Sequence, residues 1–156
     1  MDVQNIYYTT RQAYQRQFNY RKFWRDLSQQ GEIVKAVAYA TYRSGDEGQL
    51  KFQNALKHIG FTMKLKPFIQ RSDGSAKGDW DVGLAIDVMD CAANPNQPVD
   101  TVVLLSGDGD FDLLVERIKD SYGIDTTVFG VAALTATSLI NAAAVFEPIE
   151  GSLLLK

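Results

Sequence analysis

Apolar and polar positions alternate along this chain between a helical and a strand period. Val3, Ile6, Tyr7, Ala13, Tyr14 and Phe18 recur at helical spacing with gaps, which predicts a helix over about residues 3–17. Phe23, Trp24 and Leu27 predict a second helix over residues 20–30, ended by Gly31. Residues 33–40 are short and β-rich and predict a strand. Leu50, Ala55, Leu56 and Ile59 return to a helical stripe over residues 47–59, with Gly60 as its C-cap. Residues 61–69 alternate with period two around Lys64 and Lys66, as a strand does.

The second half repeats the alternation. Residues 71–78, rich in Gly, Ser and Asp, predict a loop. A helix is expected from Trp80 to Ala93, stopped by Asn94 and Pro95. Thr101-Val102-Val103-Leu104-Leu105 is a continuous apolar run of strand length, the signature of a strand covered on both faces. Phe111, Leu114, Val115 and Ile118 form an amphipathic helix. Residues 126–129 predict a strand, residues 138–144 a helix, and Val145-Phe146 a terminal strand. Such alternation predicts a single α/β domain, a three-layer sandwich around a mainly parallel central sheet, with ligands gathered beyond the carboxyl ends of the strands. The domain is expected over residues 1–150, with residues 151–156 as a C-terminal tail. The first helix begins almost at residue 1, so the first strand is expected to be cut short at Met1 or to start upstream.

Composition narrows the chemistry. The chain has 156 residues, 46% hydrophobic and 22% charged, the balance of a globular protein. No apolar run approaches the roughly 18 residues of a membrane span, and no signal peptide is visible, so a cytoplasmic setting is expected. One cysteine, Cys91, excludes an internal disulfide and a multi-cysteine zinc site; one histidine, His58, excludes a two-histidine mechanism. The net charge of −3 hides a split: residues 1–77 carry 13 Lys and Arg against 6 Asp and Glu, and residues 78–156 carry 3 against 13. An imbalance of that kind is a cue for a polyanion partner or a metal site, and equally describes two solvated faces.

Carboxylates gather at strand-to-helix junctions. Ser106-Gly107-Asp108-Gly109-Asp110-Phe111 follows the buried strand directly; its glycines permit a tight turn, and Asp108 and Asp110 can aim oxygens beyond the sheet edge. Asp110 also suits a helix cap. A dinucleotide fingerprint would need glycine at Asp112, and a calcium-binding EF-hand loop would need glycine at Leu113 and glutamate at Lys119. Asp79 and Asp81 stand at the junction before the next helix, Asp79 as the natural cap and Asp81 in the first turn. Asp2 and Asn5 stand at the start of the first helix, where Asp2 also suits a cap. Three distant segments thus bring an acid to one sheet edge.

Asp2-x-x-Asn5, Lys77-Gly78 with Asp81, and Ser106-Gly107-Asp108-Gly109-Asp110-Phe111, in this order, resemble the NYN domain family, the LabA-like branch of the PIN-like nucleases. The resemblance runs from Asp2 to about Phe146 and includes Val128-Phe129-Gly130 and Ser138-Leu139. Two departures stand out: a nearly absent first strand, and Val145 where an acid often precedes the last Phe. The resemblance implies a PIN-like fold and a Mg²⁺- or Mn²⁺-dependent endoribonuclease acting on single-stranded or loop RNA. The alternative is a non-catalytic regulatory or adaptor domain binding RNA or protein. Its acidic positions fall on Asp2, Asp81, Asp108 and Asp110 as metal ligands, with Asp2, Asp81, Asp108 and Asn5 as the catalytic set. Oxygen ligands suit hard divalent cations, which keep remaining positions for water or phosphate.

Residues 3–25 hold Arg11, Arg16, Arg21, Lys22 and Arg25 with no acid, interleaved with seven aromatics. Basic side chains hold phosphates and exposed aromatics stack bases, although most of these aromatics are expected to pack one helix face against the sheet. The RNA contacts expected are Lys77, Arg11, Arg16 and Tyr8; a membrane is not a partner, and self-association is left open. His58 and Cys91 read as surface and core residues, Ser106 as a loop hydrogen-bonder, and Asp87 and Asp90 as solvated, with Asp87 within reach of the ligands' surroundings.

Overall fold

A computed structural model describes residues 1–70, 72, 76–77 and 79–156. Helix α1 (Val3–Tyr14) and α2 (Tyr20–Gln30) lead into β1 (Val37–Tyr42), α3 (Glu47–Ile59), β2 (Thr62–Pro67) and the short strands β3 (Ile69–Gln70) and β4 (Ala76–Lys77). Then follow α4 (Asp81–Ala93), β5 (Thr101–Leu105), α5 (Asp112–Tyr122), β6 (Asp125–Gly130), α6 (Thr137–Ala142) and β7 (Val145–Pro148). Local chemistry sets several boundaries. Asp2, Asn19 and Asp46 each accept the amide proton of the residue three positions on, capping α1, α2 and α3. Gly123 ends α5 in the left-handed region at φ 65°, its N–H reaching back to the Ile118 and Lys119 carbonyls.

Several expected boundaries move, among them the helix expected over residues 138–144, which ends already at Ala142. The first helix stops at Tyr14, where Gln15 turns left-handed at φ 55°. The strand expected over residues 33–40 begins only at Val37, where pairing starts. The strand expected over residues 61–69 divides into β2 and β3, and part of the expected loop forms β4, paired antiparallel with β3. A 3-10 turn over Gly109–Phe111 precedes α5.

The sheet is parallel throughout its two main parts. β1 pairs with β2, and β5 with β6 and β6 with β7, all parallel. Met1 and Asp2 splice the parts together. The Met1 amino group donates to the Val37 carbonyl at 2.9 Å, the Tyr39 amide donates to the Met1 carbonyl at 3.0 Å, and the Asp2 amide donates to the Leu105 carbonyl at 3.0 Å. Asp2 and Tyr39 form a parallel bridge. The order across the sheet is therefore β2, β1, the Met1–Asp2 splice, β5, β6, β7, with the first strand reduced to that splice.

Strand alternation sorts the core into two layers. Ala38 and Ala40 of β1 and Leu105 of β5 face Ile6, Phe18, Phe23 and Leu56 from α1, α2, α3 and the α1–α2 link. Tyr39, Leu104 and Val128 face Leu84, Leu114, Ile118 and Leu139 from α4, α5 and α6. The aromatics of α2 mostly pack as the sequence suggested: Phe23 lies 5.0 Å from Phe129 and Trp24 lies 4.9 Å from Phe61, ring centre to ring centre. Each fully buried side chain of this size contributes about 1.5–3 kcal/mol of hydrophobic stabilisation. Residues 151–156 fold back on this layer: Leu154 is buried and bridges Phe18, and its carbonyl and that of Leu155 accept from the Arg16 guanidinium at 3.2 and 2.7 Å. No helix among the described residues is long and apolar enough to cross a membrane.

Candidate metal centre

The carboxyl end of β5 delivers the first acid. After Leu105 the chain turns through Ser106 and Gly107 to Asp108, whose carboxylate accepts the Asp110 amide proton at 2.9 Å and so starts the 3-10 turn. The turn has little room. A Cβ at Gly107 would lie 2.9 Å from the Leu134 carbonyl oxygen, and one at Gly109 would lie 2.8 Å from the Ala136 Cβ. Only glycine lets the two acids pass this close to the segment before α6.

Asp81 arrives from the N-terminus of α4, and two anchors aim it. Asp79 accepts the Asp81 amide proton at 3.3 Å, and Trp80 donates its indole N–H to the Ala40 carbonyl at 2.8 Å. The Trp80 ring rests on Tyr39 and beneath the Lys66 ammonium, which lies 4.3 Å from the ring centre and also donates to the Asp79 carbonyl at 3.4 Å. Further along α4, Asp87 accepts from the Tyr39 hydroxyl at 2.7 Å and from Lys64 Nζ at 2.6 Å. Asp87 is therefore not a solvated acid. Burial alone would raise its pKa, but the bonds from Lys64 and Tyr39 outweigh it and hold the carboxyl below its ordinary value.

Asp81, Asp108 and Asp110 each place a carboxylate oxygen so that all three lie within 4.8 Å of one another. Among the described residues, none of the three is paired with Lys or Arg. The electrostatic consequence falls on Asp81. Burial, the hydrogen bond and charge of Asp108, and the charges of Asp79 and Asp2 push its pKa up to about 7. Like charge crowded at this edge therefore favours the protonated form of Asp81.

Asp2 and Asn5 brace the loop from α1. Asp2 Oδ1 accepts the Asn5 amide proton at 3.3 Å and Oδ2 accepts the Ser106 hydroxyl proton at 3.2 Å. The same hydroxyl accepts the Asp108 amide proton at 3.2 Å, and Asn5 Oδ1 accepts that of Gly107 at 2.8 Å. Ser106, fully buried, thus bonds the loop as its sequence context suggested. The Asp2 pKa is raised by burial, opposed by the Asn5 and Ser106 bonds, and raised further by the charge of Asp108. Asp2 thus feels the cluster's charge, but it is not one of the three that share the 4.8 Å set.

The nucleic-acid residues named from sequence scatter more widely. Tyr8 is 62% exposed on α1, edge-on to Tyr7 at 5.3 Å. Arg11 stacks over the Tyr7 ring at 5.1 Å and donates to its hydroxyl. Arg16 lies beyond the far end of α1, about 20 Å along the helix from Asp2, and its guanidinium is engaged by residues 154 and 155. The backbone of Lys77 pairs with Ile69, and its side chain lies outside the described residues. Sequence reasoning missed Lys66 and Trp80. Lys66 was legible only as one member of the Lys64/Lys66 alternation, and Trp80 only as an aromatic immediately before Asp81.

Three comparisons bear on identity. The NYN domain family model matches residues 1–150. A crystal structure of a protein of unknown function from Vibrio parahaemolyticus RIMD 2210633 is similar at 51% identity and a TM-score of 0.89, over 99% of this chain and 92% of that one. The protein LabA (low amplitude and bright) of Synechococcus elongatus is 31% identical over 119 residues, which cover 71% of this chain and 60% of LabA, so the chain spans less than two thirds of that relative. The fold, the acids at the carboxyl edge and these matches agree: the chain belongs to the NYN domain family, in its LabA-like branch among PIN-like nuclease domains.

Proposed function

We propose that this domain is a divalent-metal-dependent endoribonuclease acting on single-stranded or looped RNA. The observation that carries the reading is the convergence of Asp81, Asp108 and Asp110, three carboxylates from two separate segments without a Lys or Arg partner among the described residues, within 4.8 Å. An all-oxygen donor set of this kind fits Mg²⁺ or Mn²⁺, and the crowding of negative charge that raises the Asp81 pKa is what a cation would relieve. A bound ion would lower the pKa of an attacking water and neutralise charge on the phosphodiester.

The chain's own residues divide the remaining work. Asp81, Asp108 and Asp110 would hold the ion. Asp2, whose two oxygens are both hydrogen-bonded, contributes negative charge and orients Ser106, and Asn5 keeps the Gly107 amide in place. Lys66, pinned over Trp80 beside Asp79, supplies positive charge for a phosphate next to the acids. Tyr8 and Arg11 offer an exposed ring and a cation for the strand at α1.

The test is a labelled single-stranded RNA incubated with purified protein and Mn²⁺, with an EDTA control. Wild type should cut and Asp81→Asn should bind without cutting. A protein that binds in every tube and cuts in none is the adaptor instead, and cleavage surviving both EDTA and Asp81→Asn would come from another nuclease.

A further inference from the structure

We propose that Tyr39 is a positioning residue of the metal centre: the bond from its hydroxyl to Asp87 sets the rotation of α4 and so brings Asp81 to Asp108 and Asp110; this rests on the reading of those acids as cation ligands.

The acids come from opposite sides of the Met1–Asp2 splice. Asp108 and Asp110 follow β5. Asp81 opens α4, and apart from its own bond to Asp108, the side-chain bonds at this end of α4 go, among the described residues, to β1 and β2. Trp80 donates to Ala40 of β1, and Asp87 accepts from Tyr39 of β1 and Lys64 of β2. Asp81 therefore reaches its partners from a helix seated across the splice from them.

Helix geometry makes Asp87 decisive for that reach. It follows Asp81 by six residues, about 9 Å along the helix and about a third of a turn around it. The two carboxylates thus leave α4 toward different neighbours, Asp87 toward β1 and β2 and Asp81 toward the Asp108 turn. Trp80 anchors the start of the helix at one point, and Asp87 supplies the second point that fixes its rotation. At a side-chain radius of about 5–6 Å, a rotation of about 20° carries a carboxylate about 2 Å. Metal–ligand distances tolerate only about 0.2 Å.

Tyr39 is the rigid half of this clamp. It is 4% exposed, and its ring packs against Trp80 with 5.5 Å between centres. Its amide donates to the Met1 carbonyl at 3.0 Å, and its backbone bridges Asp2. The hydroxyl bond to Asp87, 2.7 Å long, therefore refers α4 to the same residue that seats Asp2. Lys64 shares Asp87 Oδ2 at 2.6 Å, but its side chain is 39% exposed on a flexible stem, so it balances the charge of Asp87 more than it places it.

Mn²⁺ titration calorimetry on the full chain, paired with urea unfolding, separates positioning from packing. Tyr39→Phe, which keeps the ring, and Asp87→Ala should each weaken Mn²⁺ binding about tenfold, as loss of groups that orient metal ligands does. Asp87→Asn, which retains an oxygen for the hydroxyl, should restore most of the affinity. Ile149→Val, which thins the opposite core layer, should lower stability and leave affinity unchanged. Full Mn²⁺ affinity in Tyr39→Phe, or Asp87→Asn as weak as Asp87→Ala, overturns the proposal. A crystal structure of metal-free Tyr39→Phe reads the placement without the cation: the Asp81 and Asp108 carboxylates should lie about 1–2 Å further apart than in wild type, and unmoved acids overturn the proposal. The outcomes separate the two readings. Displaced acids in a protein whose wild type binds no Mn²⁺ keep the positioning of Asp81 and remove the metal, and Mn²⁺ binding intact in every variant does the reverse.

Discussion

Asn5 Oδ1 accepts the Gly107 amide proton across 2.8 Å, joining two residues 102 positions apart. This single bond ties the first turn of α1 to the loop that presents Asp108. It also explains why an amide rather than an acid stands one turn after Asp2: a second carboxylate there would add charge to a crowded cluster.

Asn5→Ala should therefore act on the loop before it acts on chemistry. Leaving the Gly107 N–H without its partner should cost about 1–3 kcal/mol of stability. Urea unfolding measures that loss, and Mn²⁺ titration calorimetry should show weaker binding because Asp108 is no longer held. An unchanged unfolding midpoint would remove Asn5 from this role.

Stability without divalent metal should fall as pH rises through neutrality. The Asp81 pKa stands near 7 in the fold, above its unfolded value of 3.8, so between those values the folded state binds the extra proton. The stabilisation is complete below the unfolded pKa and is lost as pH passes the folded one. The difference in unfolding midpoint between wild type and Asp81→Asn should thus change between pH 4 and 8, and Mn²⁺ affinity should rise by up to about tenfold per pH unit below pH 7. A flat difference across that window would contradict the shared proton.

Gly83→Ala should destabilise, against the ordinary rule. Alanine normally gains about 1 kcal/mol over glycine inside a helix. Here its Cβ would lie 2.6 Å from Trp80 Cε3, so the indole that donates to Ala40 would have to shift. A lowered melting temperature together with weaker Mn²⁺ binding is expected. A stabilised protein with unaltered metal affinity would show that Trp80 does not position Asp81.

Arg16→Ala should separate structure from RNA contact. Its guanidinium donates to the carbonyls of residues 154 and 155, so removal should cost about 1–3 kcal/mol. RNA affinity should scarcely change, whereas Arg11→Ala should weaken binding and flatten its salt dependence. Equal losses of RNA affinity in both variants would restore Arg16 to the RNA surface.

Legibility followed the range of the interactions. The helices over residues 20–30 and 47–59 were readable in full because their apolar stripes and the glycines that end them, Gly31 and Gly60, lie within or beside the segments themselves. The start of β1 was not, because Ile33 and Val34 carry strand propensity while pairing begins at Val37 through a bond to Met1. The Asp108 loop announced itself through two flanking glycines. Asp87 on α4 looked solvated because its partner Lys64 comes from strand β2, 23 positions away, and the roles of Lys66 and Trp80 exist only after β2 and α4 are packed.

The Met1–Asp2 splice fixes a phase as well as a connection. Asp2 faces the acids while Val3 enters the core, and the splice offers only two residues to hold that register against the strands on either side. A slip of one position would send the carboxylate into the apolar layer and carry Val3 to the charged edge. The bonds from Asp2 to Leu105 and from Tyr39 to Met1 thus act as a reading frame for the first residues, deciding whether the carboxyl edge of the sheet receives a charge or a hydrocarbon.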